Sequence, residues 1–499
     1  MGCKNEKMRL LGSVMDVYGF SSMEKEQNQA TYAIADFMKS LNIKEYCYLE
    51  NVYRCWNYEW EAEKRKSNYW TYDNMFSCIM GIRDEERKRA VLIPGCMSSD
   101  GHLRQKCLKE LANYKNSLPF LLLRLNDWVK EIRVDAFEFS VQRMQRADVE
   151  ELLLALPVIE KIRNSNRKNN EDFAVITNAF HLCVVENVRK MNLSEINQFD
   201  QTVRNAFYRL INHFDIYEKS RLMDLLKITK GSYESRMVIH ALLQYYDITE
   251  QDFLYYLKNS NGIIRRCAIE KWTEKHGIWD GAEQYLLDSA KSVRLNVQYW
   301  VRKYTDINIV DFYIAQLDHE KFKIVIDGLG ETADKETVDQ LLPFLEDSDW
   351  KVIRKALRAI GSLLKEEGEE YYLRFLHSEN IALVKEAYRQ CRKWEVMMDI
   401  KTLMDMYENC KVEQQKCYYL LLLRKCPYWD RITIYLRLYG RVSEKQQDII
   451  SRAVRFRPMY QQLTEKKGNK IRNELEMNRD YLPEWLIKGV LFDIKHLTR

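Results

Sequence analysis

Chemistry in a folded chain needs reactive side chains at set spacings, and the residues able to supply it here stand apart. The eight histidines, His102, His181, His213, His240, His276, His319, His377 and His496, make no H-E-x-x-H or H-x-x-x-H pair, so metal-assisted hydrolysis has no support in the spacing. The twelve cysteines form no C-x-x-C pair, and several lie among apolar residues on predicted helices, where a thiol behaves as a small hydrophobe. Reduced, buried cysteines are therefore expected, with no metal and no cofactor. Gly328 and Gly330 in "DGLGETAD" lack the third glycine and the preceding strand of a dinucleotide loop, and read as a helix end and a turn. Neither G-x-x-x-x-G-K-[ST] nor G-x-S-x-G occurs. The acidic run Glu366, Glu367, Glu369 and Glu370 reads as an exposed helix end. No catalytic residue can be nominated.

With no compact motif to position, the elements themselves become the subject. The 499 residues exceed one ordinary core, so the chain is either several domains or an elongated array. Only 17 Gly and 7 Pro leave few residues for the tight turns of an all-β fold. That composition predicts helices throughout. No window approaches 18 consecutive apolar residues, and "MGCKNE" carries Glu6 where a myristoylation signal wants Ser or Thr. A soluble, cytoplasmic protein with no membrane association is expected.

A repeat then emerges from the segment "LPFLLLRLNDWVKEIRVDA", an apolar helix followed by a turn and a charged helix. Its pattern is a polar residue, five residues, Arg or Lys, two residues, then a small apolar one, as in Asp127, Arg133 and Ala136. The same pattern places Arg104, Arg265, Arg294, Arg354 and Lys385 in register, with Lys323, Arg204 and Arg236 fitting between them. Arg104 to Arg133, Arg265 to Arg294 and Arg294 to Lys323 are each 29 residues apart, while Lys323 to Arg354 and Arg354 to Lys385 are 31. A less regular unit lies near Phe173. A fixed period near 30 predicts a solenoid. In such a unit the first helix is enclosed, which explains "LPFLLLRL", and the second is partly surface. Asp127 or Ser348 would cap the second helix, and the Arg six residues on would reach an acidic or carbonyl group of the neighbouring unit.

On those segments, above all "LLPFLEDSDWKVIRKALRAIGSL", the chain resembles the HEAT-like (armadillo-like) repeat family, particularly its short bacterial repeats of the PBS-lyase type. The resemblance implies an all-α, right-handed α-solenoid of about eleven or twelve helix pairs, a HEAT-like superhelix. Expected divisions are an aromatic-rich helical N-terminal region at 1–90, the solenoid at 91–460 and a basic helical cap at 461–499. HEAT-like proteins are mostly scaffolds and adaptors, which implies a protein partner held along the concave face of the second helices.

Two terminal regions depart from the repeat. Residues 46–76 hold ten aromatics, among them Trp56, Tyr58, Trp60 and Trp70, which would either pack a terminal cap or form a partner surface. From Lys411 onward 19 Lys and Arg face 10 Asp and Glu, a net charge of +9 against −4 for the residues before. Within that region Arg452, Arg455, Arg457, Lys466, Lys467, Lys470 and Arg472 form a candidate basic patch for an acidic protein or a phosphate backbone. The resulting alternative function is nucleic-acid binding, in the extreme a DNA-glycosylase-like repeat enzyme using the Asp127–Trp128 or Asp349–Trp350 pair. Both pairs sit in inter-helix turns, and a capping Asp beside a packed ring is the better reading. The favoured expectation is a non-catalytic scaffold.

Overall fold

The computed structural model describes residues 24–43, 72–98, 100–166, 168–455 and 463–497, with positions 14, 45, 46 and 48. It divides into two compact units, Met1–Lys271 and Trp272–Arg499. Every described regular element is helical.

Unit 1 begins with α1 (Glu24–Lys39) and α2 (Tyr72–Met80). Helix pairs follow: α3 (Glu85–Gly95) with α4 (Gly101–Leu111), α5 (Leu118–Leu123) with α6 (Lys130–Met144), and α7 (Val149–Arg163) with α8 (Asn170–Val188). Then come a 3-10 turn at Leu193–Gln198 with α9 (Gln201–His213), α10 (Lys219–Ile228) with α11 (Ser232–Tyr245), and α12 (Glu250–Leu257) with α13 (Gly262–His276), inside which the division falls. The enclosed first helix is shorter than "LPFLLLRL" suggests, because the segment passes into a 3-10 turn at Arg124–Asn126. Its six α-helical residues are all buried.

Unit 2 repeats the plan. A 3-10 segment at Ala282–Leu287 pairs with α14 (Lys291–Tyr304), and α15 (Ile309–Ile314) with α16 (Phe322–Thr332). Two 3-10 segments, Lys335–Gln340 and Leu342–Glu346, precede α17 (Trp350–Leu364). After them stand α18 (Glu369–Leu376) with α19 (Ile381–Lys393), α20 (Ile400–Asn409) with α21 (Glu413–Leu423), α22 (Tyr428–Leu438) with α23 (Glu444–Arg455), and α24 (Glu465–Met477) with α25 (Glu484–Leu497).

Stacking follows chain order within each unit. Second helices pack on second helices, α4 on α6 and α6 on α8 in unit 1, then α16 on α17, α17 on α19, α19 on α21 and α21 on α23 in unit 2. Such nearest-neighbour packing of helix pairs is the α-solenoid architecture. The irregular unit near Phe173 has a structural cause: α9 packs on α7, a first helix, and α11 packs on α9. The Arg register therefore changes rows between Arg133 and Arg204, and Arg209 of α9 bonds Glu160 of α7 through Nε to Oε1 at 2.7 Å.

Two local expectations are corrected. Gly328 and Gly330 lie inside α16, not at its end or in a turn. They are there for close packing: a Cβ on Gly328 would sit 2.4 Å from the Tyr313 ring, and one on Gly330 would sit 2.6 Å from the Ala359 Cα on α17. Helix α17 is capped by Asp349, which accepts from the Lys351 amide at 2.9 Å, rather than by Ser348.

Candidate functional site

The Arg register is where sequence and geometry meet most closely. Arg133 Nη1 donates to the Asp127 carbonyl at 2.7 Å, Arg265 Nη1 to Asn259 at 2.6 Å, and Arg294 Nη1 to Asp288 at 2.8 Å. Each acceptor lies six residues upstream, at the polar position of the same unit. A guanidinium thus satisfies a carbonyl that the turn leaves without a helical partner, which explains the five-residue gap in the pattern. Arg204 makes the same contact one residue closer, to Phe199 at 2.7 Å.

Some of these arginines also reach the next unit. Arg104, wholly buried, donates through Nε and Nη2 to Asp127 at 3.2 and 3.0 Å. Arg204 Nε meets Glu234 Oε1 at 2.9 Å, and Arg294 Nη2 meets Glu331 Oε1 at 2.6 Å. Lys323 Nζ reaches Asp349 Oδ2 at 2.7 Å, while Arg354 lies 5.1 Å from the Trp350 ring centroid. Arg236 and Lys385 are exposed, because their side chains leave the helix on its solvent side.

Asp127 shows why the Asp–Trp turn is structural. Its carboxylate is buried and accepts from Arg104, from Arg124 Nη1 at 3.1 Å and from the Val129 amide at 3.1 Å. Burial alone would raise its pKa, but Arg124 and Arg104 override this and hold the carboxyl below the ordinary aspartate range. Nearby, burial pushes the Cys96 thiol up to about 12, so it stays protonated. The described cysteines are free thiols, and no metal-ligand cluster occurs among the described residues. A cleft of about 680 Å³ is lined by Arg189, Asp215, Tyr217, Glu218 and Arg221, of which Arg189 and Arg221 donate to the Ile216 and Met191 carbonyls.

The nominated basic patch is spread over two helices and largely tied down. Arg452 pairs with Asp448 on α23, Arg455 lies 4.8 Å from the Trp485 ring of α25, and Lys467 of α24 pairs with Asp430 of α22 at 2.6 Å. Arg472 Nη1 donates to Asn469 at 2.9 Å, and Lys466 and Lys470 are exposed. Arg457 lies outside the described residues, as do Trp56, Tyr58, Trp60 and Trp70. Of the aromatic segment, Tyr46 packs edge-on to Phe120 at 4.9 Å and donates to the Met38 carbonyl.

A charged surface that counting along the chain misses lies on the second helices of unit 2. Helices α14, α16, α17 and α19 together hold 13 Lys and Arg and 3 Asp and Glu. The short elements that alternate with them, 282–287, 309–314, 335–346 and 365–376, hold 3 Lys and Arg and 9 Asp and Glu. Residues 282–393 of unit 2 are therefore segregated by element, positive on one row and negative on the other. Counted from the register residue, Leu295, Ile324, Lys355 and Glu386 are equivalent, as are Gln298, Asp327, Arg358 and Arg389. Across neighbouring helices these positions form a second ladder, in which Lys355 pairs with Asp327, and Arg358 Nη2 meets Glu386 Oε2 at 2.8 Å. The sequence signal for it, opposite charges 28 residues apart, sits three residues short of the local period of 31. Burial, then repulsion from Lys291 and Arg358, lowers the pKa of Lys393. At the head of the row, Leu295 and Tyr299 on α14 are 42% and 56% exposed one helical turn apart.

Neither a protein-family model nor a curated protein matches this chain. Among solved structures it is similar to the karyopherin Kap121p, at 12% identity and a TM-score of 0.36, covering 99% of this chain and 68% of that one. Kap121p bound to the extreme C-terminus of the protein phosphatase Cdc14p is similar at 11% identity and a TM-score of 0.37, with 98% and 65% covered. This chain thus spans about two thirds of the karyopherin's length. No described helix is long and apolar enough to cross a membrane.

Proposed function

We propose that the chain is a non-catalytic scaffold that binds a protein partner along the exposed faces of its second helices, and that its repeats are of the short bacterial HEAT-like type. The observation that carries this reading is paired apolar exposure on two of those helices, one in each unit. Val175 and Leu182 stand seven residues apart on α8, and Leu295 and Tyr299 four apart on α14, each pair on one helical face. Exposed apolar side chains grouped among polar ones mark protein-binding surfaces. Affinity capture from the native cell at near-physiological salt tests it. Stoichiometric recovery of a protein, reduced when Leu182 and Tyr299 are replaced by Ser, is expected. Recovery of nucleic acid alone, abolished by nuclease, would overturn it.

A further inference from the structure

We propose that the second-helix face of unit 2, from α14 to α19, docks an acidic segment of the partner that also carries apolar side chains; this rests on the scaffold reading above. The face is built for such a ligand in three respects. Its fully exposed charge is positive on α14, α17 and α19: Lys291, Arg302, Lys303, Arg389 and Arg392 are exposed there and no acidic side chain is, although Lys291 lies 3.7 Å from Glu331 and Arg389 3.5 Å from Glu386. Its cations cluster, since Arg389, Arg392 and Lys393 stand at i, i+3 and i+4 on one face of α19. It also begins with Leu295 and Tyr299, which offer apolar contact beside Arg302.

The same face argues against a nucleic acid. A phosphate backbone carries charge at every residue. Crossing from α14 to α17, it would pass over α16, where Asp327 and Glu331 already occupy Lys355 and Arg294. A protein segment can place its carboxylates opposite α14 and α19 and set neutral residues over α16. Specific recognition then comes from matching an interrupted pattern, which a uniform polyanion cannot do.

The test uses the full chain and a fluorescein-labelled amphipathic peptide of Glu, Asp, Leu and Phe. At about 20 residues such a peptide spans roughly 30 Å as a helix, the reach of three interhelical spacings of about 8–10 Å. Fluorescence anisotropy would be read at about 0.15 M salt, with single-stranded and duplex DNA of similar length alongside. Peptide binding is expected to weaken at least about tenfold when Arg389, Arg392 and Lys393 are all changed to Glu, the direction like-charge repulsion demands. Tyr299→Ser should weaken it severalfold. Lys466→Glu with Lys470→Glu, an equally exposed reversal at the other end of the unit, should leave it within about twofold. Should the triple reversal unfold the chain, Arg392→Gln with Lys393→Gln reads the same effect at smaller size. DNA binding more tightly than the peptide, or peptide affinity indifferent to the α19 changes, overturns the proposal. Equal capture of one native protein by wild type and the triple reversal also overturns it, while leaving the scaffold reading standing.

Discussion

A guanidinium that closes a turn of its own unit and grips the next unit does more than one that does only the first, and the register residues divide on that line. Arg104 and Arg294 are buried and doubly engaged, each with a carboxylate of the following unit. Removing Arg104 breaks a buried ion pair but leaves Asp127 with Arg124 and the Val129 amide, so Arg104→Ala should cost about 3 kcal/mol, the low end for a broken buried pair. Arg133 makes one such carbonyl contact from a half-buried position, and Arg133→Ala should cost about 1.5–3 kcal/mol. Exposed Arg236 should be replaceable by Ala within about 0.5 kcal/mol. Urea unfolding of the three variants checks the order, and equal midpoints would show that the register is decorative. Asp127 adds a pH signature. Its carboxyl is depressed in the folded chain, so the stability it contributes is fully present above the unfolded value near 3.9 and is lost as pH falls through the folded one. Asp127→Asn should start less stable at neutral pH and show a shallower acid limb in thermal melts than wild type.

Between elements, spacing is set by small residues as much as by charge. Tyr313 is wholly buried, and its hydroxyl donates to the Leu286 carbonyl at 2.9 Å, so its ring has no room to yield to a side chain at 328. Gly328→Ala should therefore destabilise by about 1–3 kcal/mol through overpacking, although alanine favours a helix by about 1 kcal/mol over glycine. Tyr313→Leu should make the second change less costly, which a double-mutant cycle would measure as a coupling. This glycine pair was misread from sequence as a helix end because local propensity is blind to what packs across the helix. The arginine register was legible for the opposite reason: donor and carbonyl are six residues apart in one unit, so the contact leaves a local pattern. The change of helix row at α9 was visible only as a broken period, since nothing local to α7 or α9 states which helix will receive them.

Across the molecule, the charged surface escapes a linear reading because successive elements between residues 282 and 393 carry opposite charge and cancel when summed along the chain. Residues before Lys411 total −4, a value that conceals a row with 13 Lys and Arg to 3 Asp and Glu. Only once the period assigns alternate elements to alternate rows do the signs separate, whereas from Lys411 onward 19 Lys and Arg against 10 Asp and Glu leave a net charge visible in the linear count. The same nearest-neighbour order dictates how the molecule should respond to damage. In a stack where each unit touches only its neighbours, a lost contact loosens the units that share it, and the effect decays over the next interfaces. Arg104 joins α4 to the turn before α6, whereas Gly328 of α16 packs on Tyr313 of α15, and α16 in turn packs on α17. Amide hydrogen exchange read by mass spectrometry should therefore show Arg104→Ala raising exchange in α3 to α6 and leaving α16 to α19 at wild-type protection. Gly328→Ala should do the reverse, loosening α15 to α17 and sparing α3 to α6. If either substitution raised exchange uniformly from α3 to α23, the described chain would be unfolding as one cooperative body, and the additive account of its stability would fail.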